Sequence, residues 1–105
     1  MDRNKGLRRS VYILENNCWS PDAWEARDPS GVRVSALAFN AYEFCVRGAV
    51  LRAATNTGTL YNAMMDAINQ VLQKEEAGLR LEQWENVPGR TMDGCIALLG
   101  RAAMT

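Results

Sequence analysis

The sequence predicts a mainly α-helical domain, bordering on the α+β class: four compactly packed helices with one short β-hairpin between the first and second. Three observations predict it. Four segments repeat apolar residues at the three-and-four spacing of one helix face. One stretch, residues 18–39, breaks that spacing and is rich in turn chemistry. The 105 residues, 48% hydrophobic and 23% charged, suit one globular domain spanning 1–105 and exclude wholesale disorder.

The first helix is expected over residues 3–17, where Leu7, Val11, Leu14 and Cys18 recur at steps of four, three and four. Asn16-Asn17 is a stop signal, since asparagine tolerates left-handed backbone. Pro21 and Asp28-Pro29-Ser30-Gly31 then favour turns, and Trp24–Arg27 can pair with Val32–Val34 as a hairpin. A two-stranded ribbon is marginal alone, so it must lean on the helices.

The second helix is expected from Asn40, with Glu43 completing a capping box. Tyr42, Cys45, Val46, Ala49, Val50 and Ala53 form its buried stripe. Gly48 beside that stripe costs about 1 kcal/mol of helix propensity against alanine, which points to another backbone passing close by. Asn56-Thr57-Gly58 ends this helix, and Thr59 caps the third. Leu60, Met64, Ala67, Ile68, Val71 and Leu72 face inward there, with Asn62, Asp66, Asn69, Gln70 and Gln73 outward. Glu75-Glu76 and Gly78 close the third helix, and Leu79, Leu81 and Trp84 lie in a connector. A last helix carries Met92, Cys95, Ile96, Leu99, Ala102 and Ala103 on one face.

The joint before that last helix reads Trp84-Glu85-Asn86-Val87-Pro88-Gly89-Arg90-Thr91. Pro88-Gly89 breaks the chain direction, Thr91 caps, and Asp93 complements the helix dipole. Trp84 is expected to plug the gap between the last two helices. Arg90 has two readings: a structural pin on a carbonyl, or an anion-recognising arginine that works with Thr91 and Trp84 at the helix start.

This joint, Cys45-Val46-Arg47-Gly48-Ala49-Val50-Leu51-Arg52-Ala53-Ala54 and Ala97-Leu98-Leu99-Gly100-Arg101-Ala102 resemble a family of small uncharacterised domains found in actinobacterial and phage genomes. Gly94 departs from that likeness, standing where a better helix former is expected. The resemblance implies a phage or mobile-element setting. It carries over no catalytic residue.

Composition narrows the function classes. Twelve basic and twelve acidic side chains cancel, which argues against nucleic acid as a partner. Arg3, Lys5, Arg8 and Arg9 read as a solvated helix face. No apolar run approaches the roughly 18–20 residues of a membrane span, so the expected location is the cytoplasm and no membrane role is assigned. The chain has no histidine, which removes Ser-His and Cys-His nucleophile pairs and the commonest metal ligand. Cys18, Cys45 and Cys95 are too dispersed for a zinc site or a disulfide framework. No cofactor, metal or catalytic residue is therefore assigned, and the domain is not expected to be an enzyme.

The sequence favours a non-catalytic protein-interaction module, phage or mobile-element encoded. Trp19, Trp24, Phe44, Arg47 and Arg52 are the expected partner contacts, because aromatic and arginine side chains dominate interface energetics. One alternative in that class is an inhibitor of a bacterial host defence system, of the anti-CRISPR kind. Another is a domain that binds small anions through Arg90, Thr91 and Trp84. A homo-oligomer is left open.

Overall fold

The computed structural model describes residues 3–75 and 78–104. Its elements run α1 (Arg3–Glu15), β1 (Cys18–Trp19), β2 (Ala26–Arg27), β3 (Arg33–Val34), β4 (Glu43–Phe44), α2 (Val46–Thr57), α3 (Tyr61–Glu75), α4 (Leu81–Glu85) and α5 (Met92–Ala103). The mainly helical class holds, but there are five helices among the described residues. The irregular segment, joined by Glu43–Phe44 from the predicted second helix, forms a small four-stranded sheet around the expected hairpin.

Helix α1 stops at the predicted place by a different device. The Asn16 and Asn17 side chains donate to the carbonyl oxygens of Tyr12 and Ile13, each at 2.8 Å. Neither asparagine has a positive φ. The amides thus satisfy the orphan carbonyls of the last turn directly. Cys18, expected to extend the α1 stripe, starts β1 instead.

The predicted hairpin is β2 paired antiparallel with β3, Ala26 opposite Val34 and Arg27 opposite Arg33. Asp28 folds its turn: one carboxylate oxygen accepts from the Val32 amide, the Ser30 amide and the Ser30 hydroxyl. These donors, the Val32 amide foremost, hold the Asp28 carboxyl below its ordinary range. β4 adds antiparallel to the other side of β2, and β1 pairs parallel with β4, giving the order β1-β4-β2-β3.

That sheet overturns the predicted start of the second helix. Glu43 and Phe44 are strand residues, so there is no Asn40–Glu43 capping box. Helix α2 begins at Val46 with Cys45 as its cap, the sulfur accepting from the Gly48 amide at 3.3 Å. A thiol is an uncommon substitute for the oxygen caps that dominate this position. Tyr42, placed on the buried stripe by its spacing, is exposed because the chain there is extended. The strand's alternation also turns Phe44 fully into the core.

The third helix begins at Tyr61, and the Thr59 hydroxyl pairs with that of Thr57 at 2.7 Å. Leu60, outside the first turn, is 64% exposed rather than inward. Asn69, expected outward, is buried, and its Oδ1 accepts from the Leu81 amide at 2.9 Å. That bond seats α4 on α3 and satisfies an amide at the start of a helix where the sequence suggests only a connector. Glu76, part of the expected closing signal, lies outside the described residues; Gly78 follows with φ +92°.

The core draws on every layer. Leu7 and Leu14 of α1, Ala49 and Val50 of α2, and Met64, Ile68 and Leu72 of α3 meet Leu81 and Trp84 of α4. Leu98 and Leu99 of α5 close it, and the sheet contributes Ala26 and Phe44. Thr91 caps α5 as expected, its Oγ1 accepting from the Gly94 amide. Among the described residues, no helix is long and apolar enough to cross a membrane.

Candidate functional site: a cleft between the loop, α2 and α4

Three pieces of chain meet around an open cleft of about 430 Å³. The loop between β1 and β2 supplies Pro21, Asp22 and Trp24, and the start of α2 supplies Cys45 and Arg47. The far wall is Glu82 and Glu85 of α4 with Asn86 just beyond it. The volume falls within the ~300–1,000 Å³ range of small-molecule pockets.

The loop holds an unusual backbone. Trp24 and Glu25 have φ of +54° and +91°, the left-handed region that side chains disfavour. Glu25 is clamped on three sides. Its amide donates to the Cys45 sulfur at 3.3 Å, and its Oε1 accepts from the Ala36 amide at 2.8 Å. Its carbonyl lies directly against Gly48, where an added Cβ would sit 1.8 Å from the oxygen. Gly48 is therefore the close backbone approach that its place in the stripe foretells. The clamp offsets the local strain and sets Trp24 at the cleft mouth, 66% exposed. The Arg33 guanidinium stacks over that indole, 5.2 Å from its centroid.

Glu85 is the centre of the far wall. It is only 4% exposed. Its Oε2 accepts two bonds of 2.7 Å, one from the Trp19 indole N–H and one from the Val46 amide at the start of α2. A single carboxylate oxygen thus ties β1, α2 and α4 together and satisfies an orphan donor of α2. Both bonds end on Oε2, and Oε1 accepts none among the described residues. Burial pushes the Glu85 carboxyl above its ordinary range, against the pull of the two donors and of Arg47.

The neighbours share that half-dry setting. Burial raises the Cys45 thiol, and the Glu85 charge raises it further, so a protonated sulfur caps α2. Arg47 lies beside the Tyr61 phenol, which burial pushes up and Glu82 raises further. Arg47 and Glu85 form no ion pair, although each carries charge into the same cleft. Cys95, deeper in the core, is pushed up to about 12 by burial and then by Glu85. Among the described residues, no three His, Cys, Asp or Glu side chains are grouped to hold a metal ion.

The raised Glu85 carboxyl has a testable consequence. The folded state holds the proton more tightly than the unfolded chain. The stabilisation this gives is complete below the ordinary glutamate value of 4.5 and is lost as pH rises through the higher folded value. Glu85→Gln removes the titration. Its amide oxygen can keep both bonds made to Oε2. The stability of the native protein relative to Glu85→Gln, from urea unfolding at a series of pH values, is expected to fall as pH rises above 4.5. Parallel pH profiles for the two proteins would contradict this.

A model of a family of unknown function, DUF6197, matches residues 5–105. The chain belongs to this family. No curated protein and no solved structure matches it significantly. Belonging to DUF6197 assigns no activity to any residue of the cleft.

The structure scatters the predicted partner contacts of this DUF6197 chain. Trp24 and Arg47 line the cleft, and Trp24 is exposed as expected. Trp19 is half-buried with its N–H committed to Glu85. Phe44 is fully buried and offers a partner nothing. Arg52 donates from one nitrogen to the carbonyl oxygens of Ala36 and Ala38, at 2.9 and 2.8 Å, and its guanidinium lies over the Phe44 ring. It fastens the loop after β3 to α2.

The three residues of the expected anion site form a joint. The Arg90 Nε donates to the Trp84 carbonyl at 2.8 Å, and the guanidinium lies 4.2 Å from the centroid of the buried indole. Thr91 spends its hydroxyl on the α5 cap. This is the carbonyl-pin geometry. The residues missed by sequence are Glu85, Glu25 and Asn69, each polar and each used across long chain separations. Only Gly48 signals any of them, through the backbone that passes it.

Proposed function

We propose that this domain is a non-catalytic protein-interaction module whose contact surface is the segment from Trp24 to Tyr42. The observation that carries the reading is Phe39, an aromatic side chain 96% exposed in a fastened loop. Arg52 grips the carbonyls on either side of Leu37, and the Ala41 amide donates to Ala38. Trp24, Val32, Leu37 and Tyr42 on the same segment are each 46–66% exposed. Among the described residues, five of the nine exposed large apolar side chains thus fall within one stretch. A pre-ordered surface of aromatic anchors lowers the entropic penalty of binding. Complete burial of one such ring is worth about 2–3 kcal/mol. The protonated thiols and the histidine-free sequence support the non-catalytic half of the proposal.

The same reading covers a phage-borne inhibitor of a host defence complex, which would present this surface to its target. Affinity capture from lysate of the source cells tests the proposal. A protein captured by the native chain is expected to be lost with Phe39→Ser and with Trp24→Ser, while both variants keep the native melting temperature. Identical capture profiles for native and variant chains would overturn it. If a second copy of the chain is what binds, light scattering will show a dimer that Phe39→Ser dissociates.

A further inference from the structure

The cleft between the β1–β2 loop and α4 carries a second inference; it shares only Trp24 with the partner surface and does not use Phe39. Its two central charges are opposite in sign and do not touch. Glu85 lines the opening; its Oε2 is occupied by Trp19 and Val46, and its Oε1 accepts no hydrogen bond among the described residues. Arg47 lines the same cleft and pulls the Glu85 carboxyl down, yet the two form no ion pair. Asp22 and Glu82 add two further carboxylates to the lining.

Fixed opposite charges facing one another across a small opening select a ligand that carries both signs itself. A simple cation would leave Arg47 unanswered and partly repelled, and a simple anion would meet three carboxylates. A molecule with an ammonium beside a carboxylate matches both walls at once, with charge-assisted hydrogen bonds at each end. Pro21 and Trp24 supply an apolar flank for whatever side chain it bears.

We propose that this cleft binds a small zwitterion of the α-amino-acid class, its ammonium on Glu85 Oε1 and its carboxylate on Arg47. Asp22 and Glu82, which line the same cleft, add to its negative potential. Glu85 is a binding residue here as well as a structural one, and its two oxygens divide the roles.

That division makes the test selective. In Glu85→Gln the amide oxygen can take the place of Oε2 and keep the bonds from Trp19 and Val46. The amide nitrogen then replaces Oε1, turning the acceptor in the cleft into a donor. The full-length protein is titrated calorimetrically with the common amino acids, with primary amines lacking the carboxylate, and with carboxylic acids lacking the amine. At least one amino acid is expected to bind, with its matched amine and acid weaker by about 10- to 100-fold. Glu85→Gln and Arg47→Met are each expected to weaken it by a similar factor while melting as cooperatively as the native protein. Arg90→Met, on the far joint, is expected to leave it unchanged. Absence of binding by every amino acid, equal binding of the amine or the acid, or binding unaffected by Glu85→Gln would overturn the proposal. None of these outcomes bears on the Phe39 surface, which Glu85→Gln leaves intact.

Discussion

Phe44→Ala is expected to lower the unfolding free energy by about 3–5 kcal/mol, read from urea or guanidinium denaturation. The ring is fully buried where β4 hands over to α2. It faces the core from the central part of the sheet, opposite Ala26 of β2, which is too small to close over the space left behind. The Arg52 guanidinium lies 5.8 Å from the ring centroid, so truncation also removes the surface under the arginine that fastens the loop after β3. A loss below about 1 kcal/mol would mean that the ring is peripheral, as expected of an outward-facing residue.

Gly48→Ala is the second large effect, and its sign is the informative part. Inside an ordinary exposed helix the change gains about 1 kcal/mol of propensity. Here the added Cβ would lie 1.8 Å from the Glu25 carbonyl oxygen and 2.6 Å from its carbon, both backbone atoms that cannot swing aside. Either α2 or the Trp24–Glu25 turn must move, and the turn is held by Cys45, Ala36 and its own left-handed geometry. The expected outcome is a destabilisation of about 3 kcal/mol by chemical denaturation. A neutral or stabilised variant would show that the loop does not rest on α2.

Both residues illustrate what the sequence could convey. Gly48 was legible because a glycine beside a buried helical stripe has few other uses. Phe44 was not. Residues 42–46 satisfy a helical spacing, and nothing local reveals that strand pairing with β2 takes Glu43 and Phe44 out of the helix. Short strands of this kind exist through partners distant in sequence, and two residues are too few to display a period. The helix faces of α1, α3 and α5 were readable because one repeating stripe each sufficed. The α4 turn was not, since Leu81 and Trp84 alone do not make a stripe, and the Asn69 bond that seats it spans twelve positions.

The cleft was the least legible feature. Trp24 and Arg47 stood out as residue types suited to recognition. Glu85, on which the cleft depends, looked like one more carboxylate on a polar turn. Its burial comes from the convergence of Trp19, Val46 and α4, with partners 66 and 39 positions away. Periodicity assigns faces to helices without saying which faces meet.

The account rests most on Glu85 being a buried carboxyl that is shared between a structural joint and the cleft. The direct measurement is a ¹³C NMR titration of the glutamate side-chain carboxyls from about pH 3 to about pH 9, with the Glu85 signal assigned by its absence in Glu85→Gln. A midpoint above 4.5 is predicted, with the Trp19 indole N–H resonance shifting in step. A Glu85 midpoint at or below 4.5, with a Trp19 signal indifferent to pH, would place that carboxylate in water and contradict the joint and the cleft together.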